Sequence, residues 1–383
     1  MIYFDNSATT PISPQALDTY VKMSQRFIGN PSSLHRLGQQ GSTLLEKARK
    51  QISDTLAVSS DEIYFTSGGT EGNNWILKGT AIEKRMFGKH MIISSVEHPS
   101  VSETAKQLES LGFDISVAPV TSEGLIDVES LKLLIRDDTI LVSTVVVNSE
   151  VGIKEPVKAI SELLEDYPSI HYHVDAVQSI TKVDVSEWLT TRVDFATFSA
   201  HKFQGPRGVG FIYWKKGNKL AALLNGGGQE KNKRSGTENL PGIVASAKAL
   251  RLANEDADFK NNKIQKLREA LAEGLSQFEN VTIFSSLNKN ISAPHILTFG
   301  IKNLRGEVLV HAFEEKDIYL STTSACSSKQ KSSHSTLKAM GVAPKLAETA
   351  VRVSLSDKNT MAEVEQFLII FNQLYQKFSK IHS

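Results

Sequence analysis

The chain has 383 residues, of which 40% are hydrophobic and 22% are charged, and this composition predicts a globular protein with a large core and two or three domains. Its 43 basic and 42 acidic residues leave a formal net charge of +1, so we expect no nucleic-acid or membrane partner. The single cysteine excludes an internal disulfide and a multi-cysteine zinc site, and no apolar run reaches the ~18 residues of a membrane span. The first residues lack the basic and apolar regions of a signal peptide, so we expect a cytoplasmic protein.

Helices and short apolar strands alternate along the first two thirds of the chain. In chain order, the hydrophobic pattern predicts helices over 14–27, 41–57, 70–85, a segment ending at 111, and 157–165. The intervening apolar runs predict strands over 62–66, 91–96, 115–117, 139–147, 172–176, 195–198 and 210–214. Strands separated by helices are typical of a mainly parallel sheet with helices on its faces.

The pattern changes at Pro241, where a long helical run begins that extends to residue 278. Strands are predicted over 281–284 and 294–301, and a terminal helix over 361–378. We therefore expect an α/β fold with a large domain over 13–254. A smaller α+β domain is expected from 255–383 together with 1–12, although the extended first dozen residues fit either domain.

Several common catalytic and nucleotide-binding motifs are absent, namely G-x-G-x-x-G after a strand, the P-loop, H-E-x-x-H and G-x-S-x-G. Polar residues instead follow several predicted strands, at the sheet edge where open parallel sheets bind ligands. The first group is Ser67-Gly-Gly-Thr-Glu-Gly72, between a strand and a helix. Its glycines would let the backbone approach an anion and Thr70 adds a hydroxyl, so the group is a candidate phosphate cradle. A flexible turn with a threonine cap fits the same residues.

Two further groups follow later strands. Asp175 ends an apolar strand, where it is either an N-cap or the counter-ion of a cationic ring nitrogen, and Gln178 could bind a neighbouring ring substituent. Lys202 closes another strand, where it is either an exposed lysine or an amine that forms a Schiff base with an aldehyde. Ser199 and His201 beside it would bind phosphate. In combination, a phosphate cradle, a carboxylate for a ring nitrogen and such a lysine describe the chemistry of pyridoxal 5′-phosphate.

The motifs that hold these residues resemble those of cysteine desulfurases of the NifS/IscS type, in the class V, fold-type I superfamily of pyridoxal-phosphate-dependent aminotransferases. The resemblance covers nearly the whole chain. The matching motifs are Phe4-Asp-Asn-Ser-Ala-Thr-Thr-Pro11, Gly29-Asn-Pro-Ser-Ser-Leu-His35, Ser67-Gly-Gly-Thr-Glu71, Glu97-His-Pro99, His173-Val-Asp-Ala-Val-Gln178, Ser199-Ala-His-Lys202, Gly226-Gly-Gly-Gln-Glu230, Arg234-Ser-Gly-Thr-Glu-Asn239, Ser324-Ala-Cys326 and Val351-Arg-Val-Ser-Leu355.

The resemblance implies a fold-type I transferase whose cofactor is pyridoxal 5′-phosphate. It implies that Lys202 forms an imine with the cofactor, that Asp175 pairs with the ring nitrogen and that Gln178 contacts the ring hydroxyl. His98 would stack over the ring and is a candidate for proton relay. The residues implied to bind the phosphate are Gly69, Thr70, Ser199, His201 and, in the partner subunit of a homodimer, Thr237.

Asn148 and Arg352 match the family's ligands for the substrate carboxylate, and a planar guanidinium suits that task because it binds a carboxylate through two parallel hydrogen bonds. The chain departs from the family pattern at Val146 and Ser149, which replace a histidine and an asparagine, and at Thr323, which replaces a glycine. We expect these departures to affect substrate positioning and the loop after Thr323 more than the type of reaction.

Cys326 is followed by polar and cationic residues that include Lys329, Lys331 and His334. Such neighbours lower a thiol pKa, although a lone cysteine can equally be a small buried hydrophobic residue. The resemblance implies that Cys326 takes sulfur from the substrate L-cysteine as a persulfide while L-alanine is released. The sulfur would then pass to an acceptor protein for iron–sulfur cluster assembly or for tRNA or cofactor thiolation.

Other functions fit parts of the pattern. A selenocysteine lyase or a small-amino-acid aminotransferase would use Lys202 without Cys326, and release of alanine from cysteine without a keto acid separates these enzymes from a desulfurase. A non-enzymatic sulfur-transfer scaffold would use the cysteine segment alone, and it would not bind pyridoxal 5′-phosphate.

Overall fold

The computed structural model describes residues 1–323 and 336–382, so Cys326 and its cationic neighbours lie outside the described residues. The helices of the described part are α1 Pro14–Arg26, α2 Arg36–Leu56, α3 Gly69–Lys84, α4 Pro99–Ser110, α5 Val128–Leu134, α6 Val157–Glu165, α7 Gln229–Asn232, α8 Leu240–Asn254, α9 Ala257–Leu275, α10 Gly306–Glu314, α11 Thr336–Ala339, α12 Pro344–Ala347 and α13 Met361–His382. Its strands are β1 Ile2–Tyr3, β2 Ile63–Thr66, β3 His90–Ser94, β4 Asp114–Ala118, β5 Thr139–Val145, β6 His171–Asp175, β7 Phe195–Ser199, β8 Gly210–Trp214, β9 Val281–Ile283, β10 Ile296–Ile301, β11 Ile318–Tyr319, β12 Ser321–Thr322 and β13 Ala350–Ser354.

The central sheet has the strand order β2-β8-β7-β6-β5-β3-β4. Strand β8 is antiparallel to both of its neighbours, and all other neighbouring pairs are parallel. Every residue of β5, β6 and β7 is buried, because helices cover both faces of the sheet. The predicted α/β fold with a mainly parallel sheet is therefore confirmed.

Consecutive strand residues alternate between two hydrophobic layers. Ile92 and Val142 belong to the layer that also contains residues of α1, α2, α6 and α8, whereas Met91 and Leu141 pack in the layer with α3 and α4. This alternation is the two-residue period of a strand, and it places α3 and α4 on one face of the sheet and the other four helices on the opposite face.

A second hydrophobic cluster forms around the antiparallel sheet β12-β13-β10-β9, which packs with α9, α10 and α13. Strand β1 pairs with β11, and Phe4 lies with Phe367 in this cluster at a ring-centroid distance of 5.8 Å. Residues further along the N-terminal segment contact the turn that follows β7 of the central sheet, since the backbone N–H of Thr10 donates to the carbonyl of His201. The two clusters support the predicted division into domains, which stays a prediction.

Two local expectations were wrong. The predicted helical run over 241–278 is two helices, because the chain turns at Asp256, whose φ of +52° lies in the left-handed region that interrupts a helix. Helix α2 begins at Arg36, five residues before the predicted start at Gly41. Its N-cap is His35, whose Nδ1 accepts a hydrogen bond from the N–H of Gly38, and histidine is not among the preferred capping residues.

Candidate active site

A cavity of about 250 Å³ opens at the carboxyl ends of β5, β6 and β7, beside the amino ends of α3 and α4. This is the edge at which parallel sheets bind ligands. The predicted site residues that line it are Gly69, Thr70, His98, Asp175, Gln178, Ser199, His201, Lys202 and Arg352. The fold thus brings together residues that are up to 283 positions apart in the chain, from Gly69 to Arg352.

The amino end of α3 forms one wall. Its first hydrogen bond joins the N–H of Gly72 to the carbonyl of Gly68, so the amides of the three residues between them have no partner within the helix. Such amides bind anions, and Ser199 lies close by, with its Oγ 3.6 Å from the position that a Cβ on Gly68 would occupy. A Cβ on Gly69 would lie 2.9 Å from Cγ2 of Val177, another cavity residue, so a side chain there would fill the cradle.

His201 lies at the same end of the cavity. Burial, together with the positive charges of Lys202 and Arg207, lowers the pKa of its imidazole to about 4. Its Nδ1 is 3.2 Å from Oγ1 of Thr9. At neutral pH the ring is therefore uncharged, and it can contribute one hydrogen bond rather than a positive charge to an anion.

Asp175 is buried at the end of β6. Its Oδ2 accepts a hydrogen bond of 2.7 Å from Nδ2 of Asn73, and its Oδ1 accepts one of 3.0 Å from the N–H of Val177. Within the described residues, no lysine or arginine forms an ion pair with this carboxylate. A buried carboxylate beside a ligand cavity is suited to a cationic ligand atom, such as a protonated ring nitrogen.

Lys202 lies in the same cavity because β6 and β7 are adjacent and pair in register, with Asp175 opposite Thr197. The Nζ of Lys202 donates to the carbonyl of Ser7 at 2.5 Å and to the carbonyl of Ala8 at 3.0 Å. The Nε2 of Gln178 donates to the same Ser7 carbonyl at 2.9 Å. The N-terminal segment therefore positions both side chains.

His98 lines the cavity and is also the N-cap of α4, where its Nδ1 accepts a hydrogen bond of 3.1 Å from the N–H of Ser100. The residue is exposed to solvent, and it lines the cavity. Partial desolvation by the surrounding protein lowers the pKa of the imidazole; the negative charge of Asp175 opposes that effect and the positive charge of Lys202 adds to it. His98 is therefore predominantly neutral at physiological pH.

Arg352 enters the cavity from β13. Its Nη2 lies 3.1 Å from Oδ1 of Asp5, and its Nη1 donates to the carbonyl of Ser149 at 2.8 Å. The Nε of this buried guanidinium has no hydrogen-bond partner in the described part of the chain. Because Arg352 lines the cavity, its guanidinium is a candidate site for an anionic ligand.

Three predicted site residues are not among those that line the cavity. Asn148 is 2% exposed and does not line the cavity: its Nδ2 donates to the Val96 carbonyl and to Oγ1 of Thr336, while its Oδ1 accepts from the amides of Glu150 and Val151. Thr237 is exposed and lies outside the cavity of its own chain. Cys326 lies outside the described residues.

Sequence reasoning missed Asp5, Ser7, Asn73 and Ser100, all of which contact predicted site residues. Asp5 and Ser7 belong to a motif that matched the family, but nothing local shows that they meet residues so distant in the chain. Asn73 follows Gly69 by four positions, so the helical period places it on the same face of α3. That spacing was the available signal.

Two ion pairs, one partly buried and one buried, hold the segment 226–239 near the amino end of α3. Glu71, in the first turn of α3, pairs with Arg234 at 2.7 Å and 3.0 Å and also accepts from the N–H of Ser67. Burial alone would raise the pKa of the Glu71 carboxyl, but the hydrogen bonds from Arg234 and Ser67 outweigh it and lower the pKa. Glu230 in turn pairs with Arg49 of α2.

The chain matches the family model described as aminotransferase class-V over residues 2–367. It is 51% identical, over 100% of its length and 99% of the other protein, to a NifS/IcsS protein homolog of Lactobacillus delbrueckii subsp. bulgaricus. It is 38% identical to the cysteine desulfurase IscS of Methanosarcina thermophila, covering 98% of this chain and 92% of that one. A solved structure named as a NifS-like protein superposes with a TM-score of 0.91 at 38% identity, covering 98% of this chain and 99% of that one.

Among the described residues, no helix is long and apolar enough to span a membrane. Within that same part of the chain, no group of three or more His, Cys, Asp or Glu side chains is arranged to hold a metal ion.

Proposed function

The chain belongs to the aminotransferase class-V family and is a cysteine desulfurase that depends on pyridoxal 5′-phosphate, and from this premise we propose a role for each residue around the cavity. The observation that carries the proposal is the meeting of three features in one cavity: the free amides of α3, the buried carboxylate of Asp175 and the amine of Lys202. These are an anion cradle, a partner for a cationic ring nitrogen and an amine for covalent attachment, as pyridoxal 5′-phosphate requires.

The residues that would hold the cofactor divide between its two ends. The phosphate would lie at the amino end of α3, where it would be bound by Gly69, Thr70, Ser199 and His201. At the ring end, Lys202 would attach the cofactor covalently, Asp175 would pair with the ring nitrogen and Gln178 would contact the ring hydroxyl. His98 and Val177 would cover the ring. When bound, the cofactor supplies an electron sink for bonds broken at the substrate α-carbon.

The substrate carboxylate would bind Arg352. Its guanidinium is already oriented by Asp5 and by the Ser149 carbonyl, and its Nε faces no protein acceptor among the described residues. The amine of Lys202 would also move the α-proton of the substrate, since Lys202 lines the same cavity. Asn148 was predicted to bind the carboxylate as well; its hydrogen bonds to Val96 and Thr336 support a role in fixing the loop that contains Ser149.

Cys326 would receive the substrate sulfur. In the proposed step, the Cys326 thiolate forms an S–S bond with the sulfur of L-cysteine while the substrate C–S bond breaks. The bonding electrons stay with the carbon fragment, which takes up protons and leaves as L-alanine. The terminal sulfur of the persulfide is then transferred to an acceptor thiol.

The described residues on either side of positions 324–335, which include Cys326, support this role. Before the segment, Ser321 pairs with Arg352 across β12 and β13. After it, the N–H of Thr336 lies 3.3 Å from the Glu150 carboxylate, next to the cavity residue Ser149. Cys326 follows Thr323 by three residues, and three residues of chain span at most about 11 Å.

We further propose a homodimer in which Thr237 binds the phosphate in the partner's site. Support comes from its exposure, its position outside the cavity of its own chain and the ion pairs that fix the segment around it. The acceptor is an unidentified thiol protein for iron–sulfur cluster assembly or for tRNA or cofactor thiolation. Cytoplasmic localisation stays a prediction from the sequence.

The test is cysteine turnover by the purified holoenzyme without any keto acid, measured as alanine and protein-bound persulfide. We expect Lys202→Ala to lose the absorption of the attached cofactor and all turnover, whereas Cys326→Ser should keep the absorption but form no persulfide. Lys216→Ala, at an exposed lysine outside the cavity, is the matched control and should behave as wild type. Retained absorption in Lys202→Ala would refute the role of Lys202, and full persulfide formation in Cys326→Ser would refute that of Cys326. Turnover restricted to selenocysteine, or dependent on a keto acid, would favour the alternative enzymes.

A further inference from the structure

A continuous chain of hydrogen bonds links Asp175 to His98 through two residues that have no role in the proposed reaction. Nδ2 of Asn73 donates to Oδ2 of Asp175 at 2.7 Å and to Oγ of Ser100 at 2.8 Å. Oγ of Ser100 lies 2.8 Å from Nδ1 of His98. Asn73 is 1% exposed and Ser100 is 8% exposed, so solvent does not compete for these contacts.

The directions of these hydrogen bonds follow from the groups involved. A carboxylate can only accept, so the Asn73 amide must present its NH₂ to Asp175. The same NH₂ donates its second hydrogen to Ser100, whose oxygen therefore accepts on that side. The hydroxyl hydrogen of Ser100 is then free to point at His98, which makes Nδ1 of His98 an acceptor.

A second donor on Nδ1 removes any ambiguity about the histidine. The backbone N–H of Ser100 donates to Nδ1 at 3.1 Å, and a backbone amide cannot reverse its role. A neutral imidazole that accepts at Nδ1 carries its proton on Nε2. Within the described residues, Nε2 has no hydrogen-bond partner, and the residue lines the cavity.

We infer that Ser100 and Asn73 are positioning residues that hold the proton of neutral His98 on Nε2, so that the ring presents an N–H donor to the cavity. This inference rests on the proposed function only in that the donor would serve a ligand of the desulfurase reaction. In this state His98 has no lone pair on the cavity side, so it stabilises negative charge on the ligand and does not act there as a base. Protonation at Nδ1 would set the new proton against the backbone N–H of Ser100 and would require the Ser100 hydroxyl to rotate, so the arrangement favours the neutral ring.

Two charged side chains of other elements also act on His98. Asp175 favours the positively charged imidazolium and Lys202 opposes it. The test must therefore change the contact with Ser100 while both of these side chains stay in place. Ser100→Ala does so, because it removes the hydroxyl but keeps the backbone donor and leaves Asp175 hydrogen-bonded to Asn73.

The measurement is ¹⁵N NMR of the holoenzyme labelled in its histidine rings, with His98→Gln to assign the signals. We expect the wild-type His98 proton on Nε2. In Ser100→Ala, loss of a donor to Nδ1 should raise the His98 pKa by about half a unit to one unit. The acid limb of the pH profile of alanine formation should move by the same amount. Ser100→Thr should restore both values, because it keeps a hydroxyl.

Ser102→Ala is the matched control, since Ser102 lies in the same first turn of α4 without a side-chain contact to His98. Cofactor absorption and circular dichroism establish that each variant is folded and loaded. A wild-type proton on Nδ1, or an unchanged His98 pKa in folded Ser100→Ala, would overturn the inference. Failure to produce alanine from cysteine would instead overturn the proposed function, and the ring-nitrogen measurement distinguishes the two failures.

Discussion

The ion pair between Arg49 and Glu230 is the buried contact that we expect to contribute most to holding the segment 226–239 against the central sheet. The two side chains are 3% and 2% exposed, and both of their hydrogen bonds are close to 2.8 Å. Glu230 also accepts from the N–H of Phe65, and Arg49 donates to the carbonyl of Ile63. These backbone groups lie on β2, an edge strand of the central sheet. The ion pair therefore supplies hydrogen bonds to this edge, as a neighbouring strand would.

The magnitude follows from the burial of the two charges. Burial alone would lower the pKa of the Arg49 guanidinium, but its hydrogen bonds to Glu230 outweigh burial and raise it. Glu230→Leu leaves that guanidinium charged and buried, with only the more exposed Glu46 carboxylate as an ion-pair partner, which costs about 3 kcal/mol of unfolding free energy. Lys50→Met is the matched control on the same helix, because the Lys50–Asp54 pair has side chains 71% and 60% exposed and contributes less than about 1 kcal/mol.

Urea unfolding followed by circular dichroism measures these changes, and the double variant Arg49→Met with Glu230→Leu completes a cycle. We expect a coupling free energy of about 1–3 kcal/mol, since the double variant no longer buries a guanidinium that has lost Glu230. Cofactor release should also be faster in Glu230→Leu, because Arg234 of the same segment pairs with Glu71 at the amino end of α3, where the phosphate would bind. If Glu230→Leu is no less stable than Lys50→Met, the reasoning from burial is wrong.

Two further predictions concern the substrate and the pH dependence of stability. Arg352→Lys should raise the KM for cysteine at least about tenfold, because an ammonium cannot bind a carboxylate through two parallel hydrogen bonds, and steady-state kinetics with an unchanged KM would contradict this. Burial raises the pKa of the Glu155 carboxyl from 4.5 to about 8, so its contribution to stability is present in full below pH 4.5 and is lost as the pH rises to 8. Glu155→Gln keeps an acceptor for the N–H of Ile126 and should remove this loss of stability, which is at most about 1.4 kcal/mol per pH unit. Urea unfolding at pH 5 to 8 measures the change of unfolding free energy with pH. The same change in both proteins would exclude the role of Glu155.

Local patterns were sufficient for most of the central sheet and for the part of the site that follows its strands. The apolar run of β5, the strand that ends at Asp175 and the strand that ends before Lys202 each carry their signal within a few residues. Because parallel strands place their carboxyl ends at one edge, strand-end residues separated by 27 positions could be predicted to share a cavity. The glycines before Thr70 likewise marked the anion cradle from their neighbours alone.

The sequence by itself thus determined the α/β alternation, the residues at the strand ends and, through its motifs, the family. Only the tertiary structure decided which distant groups meet them: Asp5 at Arg352, Ser7 at Lys202, and Asn73 and Ser100 between Asp175 and His98. The physical reason is that periodicity reports which face of an element is apolar, whereas a hydrogen bond between elements depends on how they pack. The antiparallel direction of β8 and the turn at Asp256 could not be predicted from the sequence for the same reason. No local pattern distinguishes them from a parallel strand or a continuous helix.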